Sequence, residues 1–281
     1  MQPMTCVHCG GEIPVSMERC PHCALPGIFP NVRAAEDGAE QVELERRYQD
    51  ALKSASARNC LPELLTFQAA VAQATAVVAR PLGEVQRLAT SDKQGYATHY
   101  NLIESEVKIP DNDRWEPLRR AADALLFTGY EKKIRFAALS LDGAGLPHYG
   151  ECSLSARDVA IAHRASLFEE NSAAFIEQRG MSAAREAGHR GTWADRGKLA
   201  ATKLGSQVSA ATTANQFQEL LLRAGAKPED DRFIEVNVWG PMTIRSFEGL
   251  VITRKKRQPS PAIVKALTER LKSYNVTLEV R

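Results

Sequence analysis

The sequence lacks both a long hydrophobic run and an excess of one charge sign. No stretch reaches 18 uninterrupted apolar residues, and the most apolar segment, 69–79, is broken by Gln73 and Thr75, which argues against a membrane span. The 281 residues carry 36 Lys and Arg against 34 Asp and Glu, a formal net charge of +2. No global field therefore draws the molecule to nucleic acid or to an anionic membrane, and any such binding has to be local.

The sequence also has little that suggests export. Its first residues, MQPMTCVHCGG, contain no basic region followed by an apolar run, so a secretory signal is not expected. We therefore expect a cytoplasmic protein that has no membrane partner. The cysteines agree with this expectation, because four of the six form two close pairs. In a reducing compartment such pairs indicate a metal site before a disulfide framework.

The paired cysteines predict a structural zinc site. They are Cys6, Cys9, Cys20 and Cys23. Each pair lies in a turn marked by Gly or Pro, and four thiolates on two such turns satisfy the tetrahedral preference of zinc, so the segment resembles a small zinc ribbon. About 30 residues cannot bury a self-sufficient core, so the metal would supply the folding energy. A mixed Cys/His site that uses His8 or His22 is the alternative.

The remaining pattern predicts an α+β protein in three parts. These are a zinc ribbon over 1–32, a helical connector over 33–94 and a mixed α/β domain over 95–281. In the connector, helices are expected over 40–56 and 61–88, the second with a kink at Pro81. After Gly95, short strands and helices alternate. Segment 180–197 reads as a loop, segment 213–231 contains a helix that stops at Gly225, and a last helix starts at Ser260 and Pro261.

One predicted strand, 232–239, has an unusual polar face. Period-two alternation puts one set of side chains on one face and a second set on the other. The first set is Ile234, Val236 and Val238, and the second is Phe233, Glu235, Asn237 and Trp239. The carboxylate and the amide could mark the wet side of a sheet. Alternatively, the aromatic rings at both ends form an apolar wall around a carboxylate in a cleft.

Three segments of this domain resemble the blocks of ADP-ribosyltransferase-like domains, in the order of that family. The segment FIEVNVWGPMTIRSFEGLVIT resembles the last block, in which a strand bearing the catalytic glutamate runs into a Gly-Pro or Gly-Gly turn. The segment HYGECSLSARDVAIAHRASLFEENSAAF resembles the preceding block, with Tyr149-Gly150, Arg164-Ala165-Ser166 and Asn171-Ser172. The first block is a strand whose His or Arg holds the nicotinamide ribose. His99 in ATHYN fits that place, and Arg135 is its rival.

The resemblance implies an enzyme that uses NAD as co-substrate, with Glu235 and His99 as catalytic residues. Cleavage of the bond between nicotinamide and ribose passes through an oxocarbenium-like species, which a nearby carboxylate stabilises. Arg164 and the helix start at Asn171 and Ser172 would hold the pyrophosphate. Tyr149 or Trp239 could stack on the nicotinamide ring.

Structural alternatives remain open for several of these residues. Ser172 could only cap a helix, Arg164 could pair with Glu169 or Glu170, and Tyr149 could belong to the core.

The resemblance further implies transfer of ADP-ribose to a macromolecular acceptor, which could be RNA, DNA or protein. Such a protein could be a toxin or defence effector restrained by an antitoxin or inhibitor protein. The ribbon would then recognise the target or a regulator. The alternative function is that of a non-enzymatic adaptor, in which the zinc ribbon binds nucleic acid or protein and the α/β body is a scaffold.

Overall fold

The computed structural model describes residues 4–6, 8–96, 115–253 and 260–281. The α-helices are α1 Pro30–Ala35, α2 Gly38–Ala57, α3 Leu61–Val71, α4 Leu82–Leu88, α5 Trp115–Leu126, α6 Asp158–Ile161, α7 Ser172–Ala183, α8 Arg196–Leu204, α9 Phe217–Leu221 and α10 Pro261–Lys272. The strands are β1 Met4–Thr5, β2 Glu12–Ile13, β3 Thr75–Arg80, β4 Ile134–Ser140, β5 Cys152–Ala156, β6 Ala165–Phe168, β7 Arg190–Thr192, β8 Leu222–Arg223, β9 Arg232–Phe233, β10 Glu235–Trp239, β11 Phe247–Ile252 and β12 Thr277–Val280.

Within the described residues, eight strands form one mixed sheet in the order β12-β11-β5-β3-β4-β10-β6-β7. Only the β11–β12 pair is parallel, and the other neighbours in this sheet are antiparallel. Strand β10 lies between β4 and β6, so that Glu235 stands opposite Ala138 on one side and Phe168 on the other. The predicted mixture of α and β structure is thus confirmed.

The predicted helix over 61–88 was wrong in its middle. Helix α3 ends at Val71, and residues Thr75–Arg80 form strand β3, which pairs with both β4 and β5. The neighbouring β-branched residues Val77 and Val78 favour a strand, and in the structure both are buried. Part of the predicted connector therefore lies inside the large sheet.

Other elements differ from the prediction in length. The predicted loop 180–197 contains edge strand β7, and the helix predicted to run to Gly225 is reduced to α9 before the chain turns into β8. Strand β8 pairs with β9 to form a short hairpin. Helix α8 was not predicted. Strand β10 forms within the predicted strand 232–239, and helix α10 begins at the predicted start.

The predicted helix starts have the expected local chemistry. Asn171 precedes α7 and its side chain accepts the N–H of Ala173 at 3.1 Å. Ser260 precedes α10 and its hydroxyl accepts the N–H of Ile263 at 3.4 Å, while Pro261 takes the first turn, where no N–H donor is needed. Gly180, the first residue of the predicted loop, has a φ of 83° and breaks the helical geometry within α7.

Apolar clusters cover both faces of the sheet. The larger cluster includes Val236 and Val238 of β10 together with residues of α2, α3 and α8. The opposite face carries Trp239 and Phe168 against buried residues of α5 and α7. No helix in the described part of the chain has the length and apolarity needed to cross a bilayer.

The four-cysteine segment packs against the end of β10. The indole Nε1 of Trp239 donates to Glu18 at 2.5 Å. The guanidinium of Arg33 on α1 donates to the carbonyls of Val15 at 2.7 Å and Met17 at 2.9 Å. Asn31, also on α1, is 1% exposed, and its amide donates to the Asn237 carbonyl of β10 at 2.8 Å. These contacts connect the N-terminal segment to the strand that carries Glu235.

A substitution at Gly150 tests how closely the 147–150 turn packs against β3. Its φ is 143°, and a Cβ there would lie 2.0 Å from the carbonyl carbon of Arg80. We expect Gly150→Ala to lower the free energy of unfolding by more than about 2 kcal/mol, because both strain and a backbone clash oppose the methyl group. Chemical denaturation followed by circular dichroism measures this.

Gly83→Ala is the matched control, since no atom lies within 4 Å of its added Cβ and alanine favours a helix. Equal stabilities of the two variants would contradict the described packing of the turn.

Candidate functional site

The four paired cysteines form a cluster suited to one metal ion. Their sulfur atoms all lie within 4.8 Å of one another, with 3.7 Å between Cys6 and Cys23 and 3.5 Å between Cys9 and Cys20. Tetrahedral zinc with Zn–S bonds of about 2.3 Å places its sulfurs about 3.8 Å apart. The donor set therefore fits zinc, and the predicted four-cysteine site is confirmed as a group that could hold such an ion.

Local backbone geometry brings the thiols together. After β1, the N–H of Cys6 donates to the Gly11 carbonyl at 2.7 Å, and Gly10 takes a φ of 71° to close the turn. In the second turn the N–H of Cys20 donates to the Leu25 carbonyl at 3.0 Å. The two turns thus face each other as a pair of knuckles, as the spacing of the cysteines predicts.

Glu235 on β10 is the centre of a second, buried cluster. It is 1% exposed, which excludes the interpretation of its strand face as the wet side of a sheet. Its carboxylate accepts from Arg119 at 2.8 Å, from the Ser172 hydroxyl at 3.1 Å and from the Asn237 amide at 2.9 Å. Three donors from three elements therefore fix the orientation of this carboxylate.

Arg119 is a member of this cluster that the sequence analysis missed. It lies on α5, where its guanidinium stacks on Phe136 at 3.9 Å and its Nε pairs with Asp123 at 3.1 Å. Burial acts to lower the pKa of Arg119, but the carboxylates of Asp123 and Glu235 outweigh it and raise the pKa. The guanidinium is thus a permanent cation held between two carboxylates.

Tyr149 is a partly exposed residue whose hydroxyl is influenced by the charges of the cluster. It keeps 36% of its surface exposed, so it is not the core residue that the alternative supposed. Burial of the hydroxyl nevertheless raises the pKa of Tyr149 to about 12. The charge of Glu235 acts in the same direction and that of Arg119 against it, so the phenol lies within electrostatic reach of the ion pair.

A network of charges supports the segment that carries Asn171 and Ser172. Glu169 is 1% exposed and pairs with Arg47 at 2.7 Å and with His189 at 3.0 Å. Glu170 pairs with Lys203 at 2.8 Å. Arg47 lies on α2, His189 directly precedes β7, and Lys203 lies on α8. These residues form the ion pairs with Glu169 and Glu170 that the sequence analysis considered for Arg164.

Arg164 and Trp239 lie toward the other end of β10. Arg164 donates to the carbonyls of Ala160 at 2.7 Å and Trp239 at 2.5 Å. Trp239 is four residues beyond Glu235, which corresponds to about 13 Å along an extended strand. The structure therefore gathers Asn171 and Ser172 with Glu235, and Tyr149 near them, while Arg164 and Trp239 are not gathered there.

Of the two candidates from the first block, the structure describes only Arg135, which does not lie beside Glu235. Arg135 stands opposite Val238 in the β4–β10 register, so its side chain leaves the face of the sheet opposite to that of Glu235. His99 lies outside the described residues. Its role stays a prediction.

Searches against protein-family models and against curated protein sequences found no match for this chain. The resemblance to ADP-ribosyltransferase-like domains therefore depends on the motifs and on the geometry around Glu235.

The pH dependence of the free energy of unfolding tests the network of charges around Glu169. Burial acts to raise the pKa of Glu169, but the hydrogen bond from His189 and the charges of Arg47 and Lys203 outweigh it and lower the pKa to about 2. Because the folded pKa lies below the ordinary value of 4.5 for a glutamate, the stabilisation is present above pH 4.5 and is lost as the pH falls toward 2. The shift corresponds to roughly 3 kcal/mol.

We expect Glu169→Gln to lower the free energy of unfolding at pH 7 by about 3 kcal/mol, since it leaves buried cations without their partner. The variant should also lose less stability than wild type between pH 5 and pH 3. Urea denaturation at several pH values measures both effects. Glu269→Gln, which removes a partner from an exposed pair with Lys272, is the control, and an identical pH dependence in all three proteins would refute the network.

We expect the purified protein to contain one zinc ion per chain by elemental analysis. Cys9→Ser should abolish retention of the metal, because it removes one of four ligands, whereas Cys60→Ser should retain it, because Cys60 is buried and outside the cluster. A strong chelator should also unfold the ribbon, as observed through exchange of the backbone amides of residues 4–29. Equal zinc contents in the two serine variants would contradict the site.

Proposed function

We propose that the protein is an NAD-dependent ADP-ribosyltransferase in which Glu235 is the catalytic carboxylate. One observation carries this proposal. Glu235, on the strand that resembles the last block of the family, is buried and accepts a hydrogen bond from Ser172, which belongs to the preceding block. Asn171, of that same preceding block, lies 3.4 Å from Arg119. Residues 63 positions apart thus meet at one carboxylate, as the order of the motifs implies.

The chemistry follows from the fixed orientation of the carboxylate. When the bond between ribose C1′ and nicotinamide breaks, positive charge develops on the ribose, and a preorganised carboxylate stabilises that charge without reorganising. Ser172 and Asn237 donate to Glu235 at 3.1 Å and 2.9 Å and hold it in place. In this proposal the partly exposed Tyr149 stacks on the nicotinamide ring.

Arg119 would change partners during this reaction. Its guanidinium neutralises Glu235 at 2.8 Å, so a ribose that approaches the carboxylate has to displace it. The side chain is 21% exposed, and the pyrophosphate of NAD offers it a new anionic partner. The positive charge that develops on the ribose then replaces the arginine at Glu235, while the arginine neutralises the phosphates.

The acceptor in this proposal is macromolecular, and the protein acts as a cytoplasmic toxin or defence effector restrained by an inhibitor protein. The four-cysteine ribbon is the part suited to recognition. It packs on the catalytic strand through Trp239 and Glu18, so an acceptor or regulator bound to the ribbon would be held close to the reaction.

A non-enzymatic adaptor is the second candidate, favoured by the surface of the ribbon. Three of its large apolar side chains are exposed, namely Met17 at 41%, Leu25 at 43% and Ile28 at 42%. Such side chains on a small rigid module suit a protein partner. In that case the buried Glu235–Arg119 pair would only hold α5 on the sheet.

Incubation of the purified protein with NAD separates these candidates. We expect wild type to release nicotinamide and Glu235→Gln to reduce that release by a factor of 100 or more, on the order of the loss seen when one electrostatic stabiliser is removed. Glu248→Gln, an exposed substitution on β11, should leave the rate unchanged. Chromatography of the released nicotinamide gives the rates, and circular dichroism checks the fold of each variant.

A wild-type protein that releases no nicotinamide, with or without a bacterial lysate as source of acceptor, would overturn the enzymatic proposal. If the same protein still binds a partner and Met17→Glu abolishes the binding, the adaptor function is supported.

A further inference from the structure

A histidine–aspartate pair lies outside the residues assigned so far. Nδ1 of His148 is 2.9 Å from Oδ1 and 3.1 Å from Oδ2 of Asp231. Asp231 is 2% exposed and also accepts the N–H of Gly225 at 2.8 Å. A carboxylate in this position accepts hydrogen bonds, so the proton of a neutral His148 sits on Nδ1 and the lone pair is on Nε2.

The His148 side chain remains accessible while its partner does not. It is 26% exposed, whereas the Asp231 side chain is 0% exposed. A buried carboxylate that orients a partly exposed imidazole is the arrangement by which a histidine becomes a general base.

The pair lies on the same face of the sheet as Glu235. Leu146, two residues before His148, packs with Leu222 of β8 against Ala138. Ala138 is the register partner of Glu235. Phe233, two residues after Asp231, packs against the same cluster. The loop and the hairpin that carry the pair therefore both adjoin the strand position of the proposed catalytic carboxylate.

The charges of both Asp231 and the Arg119–Glu235 pair act on Tyr149. It follows His148 in the chain, and the charge of Asp231, like that of Glu235, raises the pKa of its hydroxyl, while Arg119 opposes them. The phenol is therefore within electrostatic reach of both the Asp231 carboxylate and the Arg119–Glu235 pair.

We infer that His148 is the general base that deprotonates the acceptor, and that Asp231 is the positioning residue that holds its ring. This inference rests on the function proposed above. The acceptor oxygen forms a bond to C1′ of the ribose as the bond from C1′ to the nicotinamide nitrogen breaks. The electron pair of the broken bond leaves with nicotinamide, and the acceptor proton passes to Nε2 of His148.

The presence of a base defines the class of acceptor. A carboxylate is already deprotonated near neutral pH and attacks without help. A hydroxyl holds its proton at that pH and gains from a base positioned to remove it. The base therefore suits an acceptor that still holds its proton at neutral pH, for which we take a hydroxyl, and gives no advantage to a carboxylate acceptor.

The test measures two products of one reaction. Full-length protein is incubated with NAD labelled in the adenosine part and with a bacterial lysate as the source of hydroxyl acceptors. Nicotinamide release and label incorporated into macromolecules are followed from pH 5 to pH 9. We expect His148→Gln to lower incorporation about a hundredfold, to lower nicotinamide release much less, and to remove the acidic limb of the wild-type pH profile for incorporation.

Asp231→Asn tests the positioning role. We expect it to lower incorporation and to change the histidine tautomer, which long-range nitrogen–proton NMR spectra report as protonated Nδ1 in wild type. His163→Gln is the matched control, since His163 is an exposed histidine that packs on Phe29, and it should keep both activities.

Each outcome has a distinct meaning. If His148→Gln releases nicotinamide and incorporates label as wild type does, with an unchanged pH profile, the inference is overturned and the proposed function stands. If wild type releases no nicotinamide, the proposed function fails and the inference fails with it. Thermal denaturation of each variant shows whether it remains folded, so that a loss of activity caused by the missing base can be distinguished from one caused by unfolding.

Discussion

The buried ion pair between Glu235 and Arg119 is the interaction on which the arrangement around the sheet depends. A carboxylate that is 1% exposed in the middle of a sheet is costly unless a cation and hydrogen-bond donors compensate it. Arg119 supplies the charge at 2.8 Å, and Ser172 and Asn237 supply donors. Since these residues come from α5, α7 and β10, satisfying one carboxylate fixes how two helices lie on the sheet.

The remaining charges near this site follow the same rule. Glu169 and Glu170 are buried, and cations from several elements surround them. Asp231 is buried and has both a backbone donor and His148. Each carboxylate is thus compensated by groups that are distant in sequence, which makes the geometry specific and the loss of any single partner expensive.

The sequence predicted the features that local chemistry controls. Capping residues such as Asn171 and Ser260 bond to backbone groups within one helical turn, and each cysteine pair lies within a single local turn. The helix starts and the metal site could therefore be predicted from neighbouring residues alone. Strand β3 was missed because alanines surround its two valines and a helix pattern runs into it. Its strand state depends on pairing with β4 and β5, and the partners, 61 or more positions away, leave no local trace.

The site could be predicted only in part for a similar reason. Alternation identified the face of β10 that carries Glu235, but Arg119 is 116 positions away, and no spacing rule joins them. One signal was present. Arg119 and Asp123 share a face of α5 with the buried residues Ala122 and Leu126, and two charged residues on the apolar face of a helix indicate partners inside the fold.

The attachment of the cysteine ribbon to β10 has a thermodynamic consequence. Trp239, which holds Glu18 of the ribbon, and Glu235 are the two ends of one five-residue strand. A change that displaces the ribbon from Trp239 would therefore act on the strand that carries Glu235. If binding at one end of the strand alters affinity at the other, linkage requires the effect to be mutual.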